Sequence, residues 1–273
     1  MARFGSRRDI AKGFAALVVA CLSGMTECHG ESTSSAAQRQ ILVAAAADLK
    51  FAFDDLASEF QAKNPGIKLT VTYDSSGNFY AQLSNRAPFD LFLSADITYP
   101  SKLADAGLAL KESLFVYAVG RIVVWVPKRS TLDLDRLGIK AVTDPSVKKL
   151  AIANPRHAPY GRAAEAALKK SGVFDAVKDR LVLGENIAQT AQFVESGSAD
   201  VGIIALSLAL APKMRDKGRY WALPLNLYPP LEQAGVIMAW AKDKDATRAL
   251  RDFMTAREGQ AILKRYGFML RGD

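Results

Sequence analysis

The chain has 273 residues and a net charge of +8, but its 36 Lys and Arg are scattered among 28 Asp and Glu with no basic block of five, so a phosphate-tracking nucleic-acid surface is not expected. An apolar fraction of 49% excludes a wholly disordered chain, and the absence of any apolar run near ~20 residues excludes a multi-span membrane protein. Cys21 and Cys28 are the two cysteines and His29 and His157 the two histidines, which excludes a disulfide scaffold and a Cys/His zinc site from the folded part.

Residues 1–13 carry Arg3, Arg7, Arg8 and Lys12 against Asp9, Phe14 to Cys21 form a short apolar core, and residues 30–40 are small and polar. That is the three-part pattern of a bacterial export signal, so residues 1–40 read as signal and linker and the destination lies outside the cytoplasm. Arg7-Arg8 loosely resembles a twin-arginine signal. Val18-Val19-Ala20-Cys21 resembles a lipoprotein cleavage box, with Cys21 as the lipidated residue. Ordinary cleavage before Gln40 is the alternative.

From residue 41 strands and helices alternate. Ile41 to Ala45 predicts a buried strand, and Leu49, Phe53, Leu56 and Phe60 recur at helical spacing until Asn64-Pro65-Gly66. Ile67, Leu69, Val71 and Tyr73 alternate with polar residues as in a strand. A helix follows from Ser75 to about Arg86, then a strand at Asp90–Ser94 and a helix from Pro100 to Gly107. Further strands are expected at 122–126, 150–153, 181–183, 201–205 and 236–240. Helices are expected at 161–171, 187–196, 246–257 and 258–266. This alternation predicts an α/β protein with mostly parallel sheets flanked by helices.

Ligands of such sheets bind beyond the carboxyl ends of strands, where helices begin. Four strand-to-helix turns fit: Ala45–Leu49, Asp74–Asn78, Asn154–Gly161 and Glu185–Ala188. Each offers small residues and free N–H groups at a helix start, which suits an anion. Taken singly, Ser75 and Ser76 read equally well as N-caps. The sequence offers no Gly-x-Ser-x-Gly elbow, P-loop or complete dinucleotide fingerprint, and His157 lies in a loop as a solvated residue rather than a base. No enzyme and no cofactor are expected.

Ala-Ala-Ala-Asp-Leu at 45–49, Ser-Ser-Gly-Asn at 75–78, Ala-Pro-Phe-Asp-Leu-Phe-Leu-Ser-Ala-Asp at 87–96, Asn-Pro…Ala-Pro-Tyr-Gly at 154–161 and Gly-Ser-Ala-Asp-Val-Gly at 197–202 occur in order. Together they resemble the periplasmic molybdate-binding proteins of ABC transporters over residues 41–273. The resemblance implies a two-lobed type II periplasmic binding fold with the ligand cleft between lobes. It implies crossings near Gly120–Val123 and Glu232–Gly235, so that lobe one is 41–121 plus 234–273 and lobe two is 122–233. It implies a monomer that captures molybdate or tungstate and delivers it to a membrane permease. Molybdenum would be held as its oxyanion, without a direct protein ligand to the metal.

Carried over by position, the ligand-binding residues are Ala47, Asp48, Ser76, Tyr160 and Ile187. Ser76 and Tyr160 would donate hydroxyls, and Ile187 its backbone N–H. Ala205 stands where some members have a ligand-binding Tyr, so this chain resembles the branch that supplies its phenol from position 160. Asp48 departs from the Ser or Asn of many members, and a carboxylate facing a dianion repels it. The carboxylate is therefore expected to turn outward and cap its own helix near the N–H groups of Lys50 and Phe51, leaving its own N–H for the ligand. An inward Asp48 would instead favour a protonated oxyanion such as hydrogen phosphate. Other oxyanions, a secreted enzyme and a cytoplasmic effector-sensing domain are the competing readings.

Overall fold

The first strand is the apolar run that opens the folded chain. In the computed structural model, which describes residues 39–270 and Gly272, it is β1 (Arg39–Ala46), parallel to β2 (Ile67–Asp74) on one side and β3 (Leu91–Ser94) on the other. The export signal, Cys21 and most of the linker lie outside the described residues. A 3-10 turn at Ala47–Leu49 leads into α1 (Lys50–Lys63), α2 (Ser76–Ser84) follows β2, and α3 (Thr98–Asp105) follows β3. Ile41, Val43 and Ala45 pack with Phe53, Leu56 and Phe60 of α1 in one fully buried core.

The chain then runs through β4 (Phe115–Gly120) directly into β5 (Ile122–Pro127), where the second lobe begins. There α4 (Leu134–Leu137), β6 (Leu150–Ala153), α5 (Pro159–Lys170), α6 (Phe174–Val177), β7 (Leu181–Gly184), α7 (Ile187–Ser196), β8 (Val201–Ala205), α8 (Leu206–Ala209) and β9 (Gly218–Ala222) follow. β10 (Leu231–Ile237) returns to the first sheet, and α9 (Lys244–Thr255) and α10 (Arg257–Arg265) pack on that lobe. The strand orders are β2-β1-β3-β10-β4 and β7-β6-β8-β5-β9.

One expectation changes. The sheets are mixed rather than mostly parallel: β10 is antiparallel to β3 and β4, and β5 to β8 and β9. A parallel neighbour requires a long crossover, usually a helix, whereas a strand arriving straight from the other lobe can pair antiparallel without one. The return crossing is β10 itself, in the stretch expected near Glu232–Gly235: Leu231, Glu232 and Gln233 pair with Gly120, Val119 and Ala118 in the first sheet, while the Leu231 side chain packs in the core of the second lobe.

Candidate functional site

The 3-10 turn after β1 and the starts of α2, α5 and α7 meet between the two sheets. They line a small pocket of about 10 Å³, room for about one water molecule. Ala47, Asp48, Ser76, Tyr160 and Ile187 all line it, together with Asp74 and Ala95, and none of the described lining residues is Lys or Arg. A larger cleft of about 750 Å³ lies between Asp96, Lys102, Arg162 and Glu232. Its mixed charges and width suit it less to a small anion than the smaller pocket.

Ser75 and Ser76 divide the work at the start of α2. Ser75 is the N-cap, its Oγ accepting from the Asn78 N–H at 3.3 Å. Ser76 is fully buried, and its Oγ accepts from the Ala95 N–H at 2.9 Å, which leaves its own hydroxyl hydrogen to donate. At α7, the Asn186 side chain caps Ala188 and Gln189, so Ile187 stands first in the helix with an N–H that has no acceptor within it. The third turn offers less than expected. Pro159 opens α5 and has no N–H, and the N–H groups of His157 and Ala158 bond the Asn154 carbonyl.

Asp48 does not turn outward. It is 1% exposed and makes no cap; its Oδ2 accepts from Gln233 Nε2 at 2.6 Å and from the Tyr160 hydroxyl at 3.0 Å. Two neutral donors, one from the crossing strand β10 and one from α5, outcompete the helix N–H groups considered for the cap. Gln233 Nε2 also lies 3.0 Å from the Tyr160 oxygen, closing a triangle of three buried side chains. Asp48 Oδ1 has no partner among the described residues. Burial raises the Asp48 carboxyl to about 7, against the lowering effect of the Gln233 and Tyr160 hydrogen bonds and, more weakly, of the backbone N–H groups of Asp48 and Leu49. Burial, and then the Asp48 charge, push the Tyr160 phenol well above its usual range. Tyr160 has one hydroxyl hydrogen and directs it at Asp48, so its expected donation to the anion is not available in this arrangement.

A second carboxylate, Asp74, lines the cavity and is held by neutral donors. It accepts from the Ser75 N–H at 2.7 Å, from Asn78 Nδ2 at 3.1 and 3.2 Å, and from Asn186 Nδ2 of the other lobe at 3.4 Å. The lobes touch directly around the site. The Gly77 N–H donates to the His157 carbonyl at 2.8 Å, and Ser207 Oγ donates to the Asp48 carbonyl at 2.8 Å. His157 is not a solvated loop residue: its Nδ1 lies 3.0 Å from Ser75 Oγ and its Nε2 3.5 Å from Glu185.

Sequence reasoning missed Gln233, because a lone Gln in an apolar strand carries no motif. Its signal was only its place at a crossing, in a run that is otherwise almost wholly buried. Asp74 sat inside a motif that was read for its serines.

Two α/β lobes joined by two crossing strands, with a small pocket at helix starts between them, define a two-lobed solute-binding protein. A family model for bacterial extracellular solute-binding proteins matches residues 41–269. The chain is 38% identical to the molybdate-binding protein ModA of Azotobacter vinelandii over 254 residues, 93% of this chain and 97% of that one. It is 34% identical to the ModA of Rhodobacter capsulatus over 234 residues, 86% of this chain and 90% of that one. The solved periplasmic molybdate-binding protein of Azotobacter vinelandii superposes with a TM-score of 0.79 at 32% identity, covering 85% of this chain and 99% of that one. The chain belongs to the bacterial extracellular solute-binding protein family and, within it, to the ModA family.

Proposed function

We propose that the protein is a periplasmic receptor that captures molybdate, or the near-identical tungstate, and delivers it to the permease of an ABC transporter. It works as a monomer, without a catalytic step, and Cys21 is the residue through which a lipid anchor would hold it. The observation that carries the reading is the convergence of Ser76, with its hydroxyl and backbone N–H, and Ile187, with its backbone N–H, on one small pocket between the lobes whose described lining includes no Lys or Arg. Fixed neutral donors at helix starts stabilise an anion and select by size, because each oxygen must lie ~2.7–3.1 Å from its donor. Sulfate, with shorter bonds, leaves some of those hydrogen bonds stretched. The ModA relatives support the ligand class. Closure buries the anion and presents a joined two-lobe surface to the permease.

The inward Asp48 favours a second reading, a protonated oxyanion such as hydrogen phosphate, which could donate to an ionised carboxylate. Calorimetric titration with molybdate, tungstate, sulfate and phosphate at neutral pH separates the two. Tight one-to-one binding of molybdate and tungstate, with sulfate and phosphate silent, is expected. Phosphate binding with molybdate silent would overturn the proposal in favour of the second reading.

A further inference from the structure

We propose that Asp48 meets the bound oxyanion as a neutral carboxylic acid, donating from Oδ1, so that each anion captured at neutral or alkaline pH takes up one proton from solvent. The inference rests on the oxyanion-receptor reading above and concerns the same site.

The geometry assigns the proton to one oxygen. Oδ2 already accepts two hydrogen bonds, from Gln233 Nε2 at 2.6 Å and Tyr160 at 3.0 Å. Oδ1 is buried and makes no well-formed hydrogen bond among the described residues, although the backbone N–H groups of Asp48 and Leu49 lie close enough to act on the carboxyl, and the residue lines the cavity. An ionised Oδ1 there would face a dianion across a water-poor site, and that repulsion is several-fold stronger than in bulk water. A protonated Oδ1 supplies what an oxyanion lacks in this cavity, one more neutral O–H donor. Molybdate is fully deprotonated at neutral pH, so the proton cannot come from the ligand. It comes from water or buffer and moves onto Oδ1; no covalent bond to the anion forms.

The surrounding groups agree with this assignment. Tyr117 of β4, whose phenol is pushed up by burial and then by the Asp48 charge, donates its hydroxyl to the Ser94 carbonyl at 3.0 Å and is occupied. Ser207 of α8 bonds the Asp48 backbone carbonyl and leaves the carboxylate alone. Asp74, the other carboxylate on the cavity wall, keeps its oxygens on Ser75, Asn78 and Asn186. Burial already lifts the Asp48 carboxyl to about 7 without a ligand, and a dianion beside it lifts it further. Tyr160 and Gln233 are then positioning residues that fix Oδ2 and leave Oδ1 to the anion.

The test is molybdate titration of the purified protein from about pH 6 to about pH 9, each pH in two buffers of different ionisation enthalpy, which counts protons. Expected is uptake approaching one proton per anion above about pH 7, with affinity falling about tenfold per pH unit there. Asp48→Asn should take up no proton and bind with an affinity that no longer follows pH. Tyr160→Phe removes a donor that favours the ionised form, so the onset of the affinity loss should move to higher pH, a shift that mere loosening of the site would not produce. Molybdate binding without proton uptake across the range would overturn the proposal and leave the receptor reading standing. No molybdate binding at any pH would overturn both.

Discussion

The backbone N–H of Gly77 in the first lobe and the carbonyl of His157 in the second meet at 2.8 Å, and a Cβ on Gly77 would lie 2.5 Å from that same oxygen. Gly77 has an ordinary backbone conformation, so what requires glycine is the close approach of the other lobe, not strain. Gly77→Ala should leave each lobe folded and oppose closure. Overpacking of this kind costs ~1–3 kcal/mol, which predicts molybdate affinity roughly ten- to hundredfold weaker. Unchanged affinity in calorimetry, with circular dichroism intact, would show that closure does not bring these two backbones together.

Asp48 also ties stability to pH. Its native carboxyl titrates at about 7, against 3.8 for an unperturbed aspartate. Between those values the native state binds the extra proton, so this group's contribution to stability falls as pH rises from about 4 to about 7. At ~1.4 kcal/mol per pH unit the upper bound is on the order of 4 kcal/mol. Asp48→Asn should therefore melt higher than the parent at pH ~8, with a smaller gain at pH ~5. A gain that is the same at both pH values would refute the raised carboxyl.

Much of this was legible in the chain. The turns at 45–49, 74–78 and 185–188 follow from an apolar run ending in a helix start, a local signal that needs no partner. The strands at 115–120 and 218–222 were harder. β9 presents the exposed Arg219 and Tyr220 and no apolar run, so only its pairing with β5 makes it a strand. The direction of Asp48 was not legible, because it is decided by Gln233 and Tyr160, 185 and 112 residues away in sequence. A helix cap can be read locally, whereas a buried triangle made by chain crossing cannot.

Ser76 carries two bonds with different consequences. Its Oγ accepts from Ala95, and its hydrogen is available to the anion. Ser76→Ala loses a charge-assisted hydrogen bond, worth ~1.5–3 kcal/mol, and leaves the Ala95 N–H unsatisfied at a cost of ~1–3 kcal/mol. Expected are molybdate affinity at least about tenfold weaker and a lower melting temperature. A variant that binds molybdate as tightly as the parent would remove Ser76 from the ligand set.

Arg162 of α5 reaches across the mouth of the cleft to Asp96, and its Nη1 lies 3.2 Å from the Tyr99 hydroxyl, with the guanidinium 5.5 Å from the centre of that ring. The two lobes are thereby latched outside the anion cavity by a pair that is partly exposed: Arg162 is 41% and Asp96 16% accessible. Pairs of this kind contribute ~0.2–1 kcal/mol, less where salt screens them. Asp96→Asn keeps the oxygen that accepts from the Thr98 N–H but removes the charge. Since the pair joins opposite lobes, its loss should appear in ligand affinity rather than in the stability of either lobe. The expected change is at most about fivefold at low salt, vanishing near 1 M salt, with the melting temperature of the ligand-free protein nearly unmoved. An affinity loss that persists at high salt would mean that Asp96 acts through packing or ligand contact, and that the latch is not electrostatic.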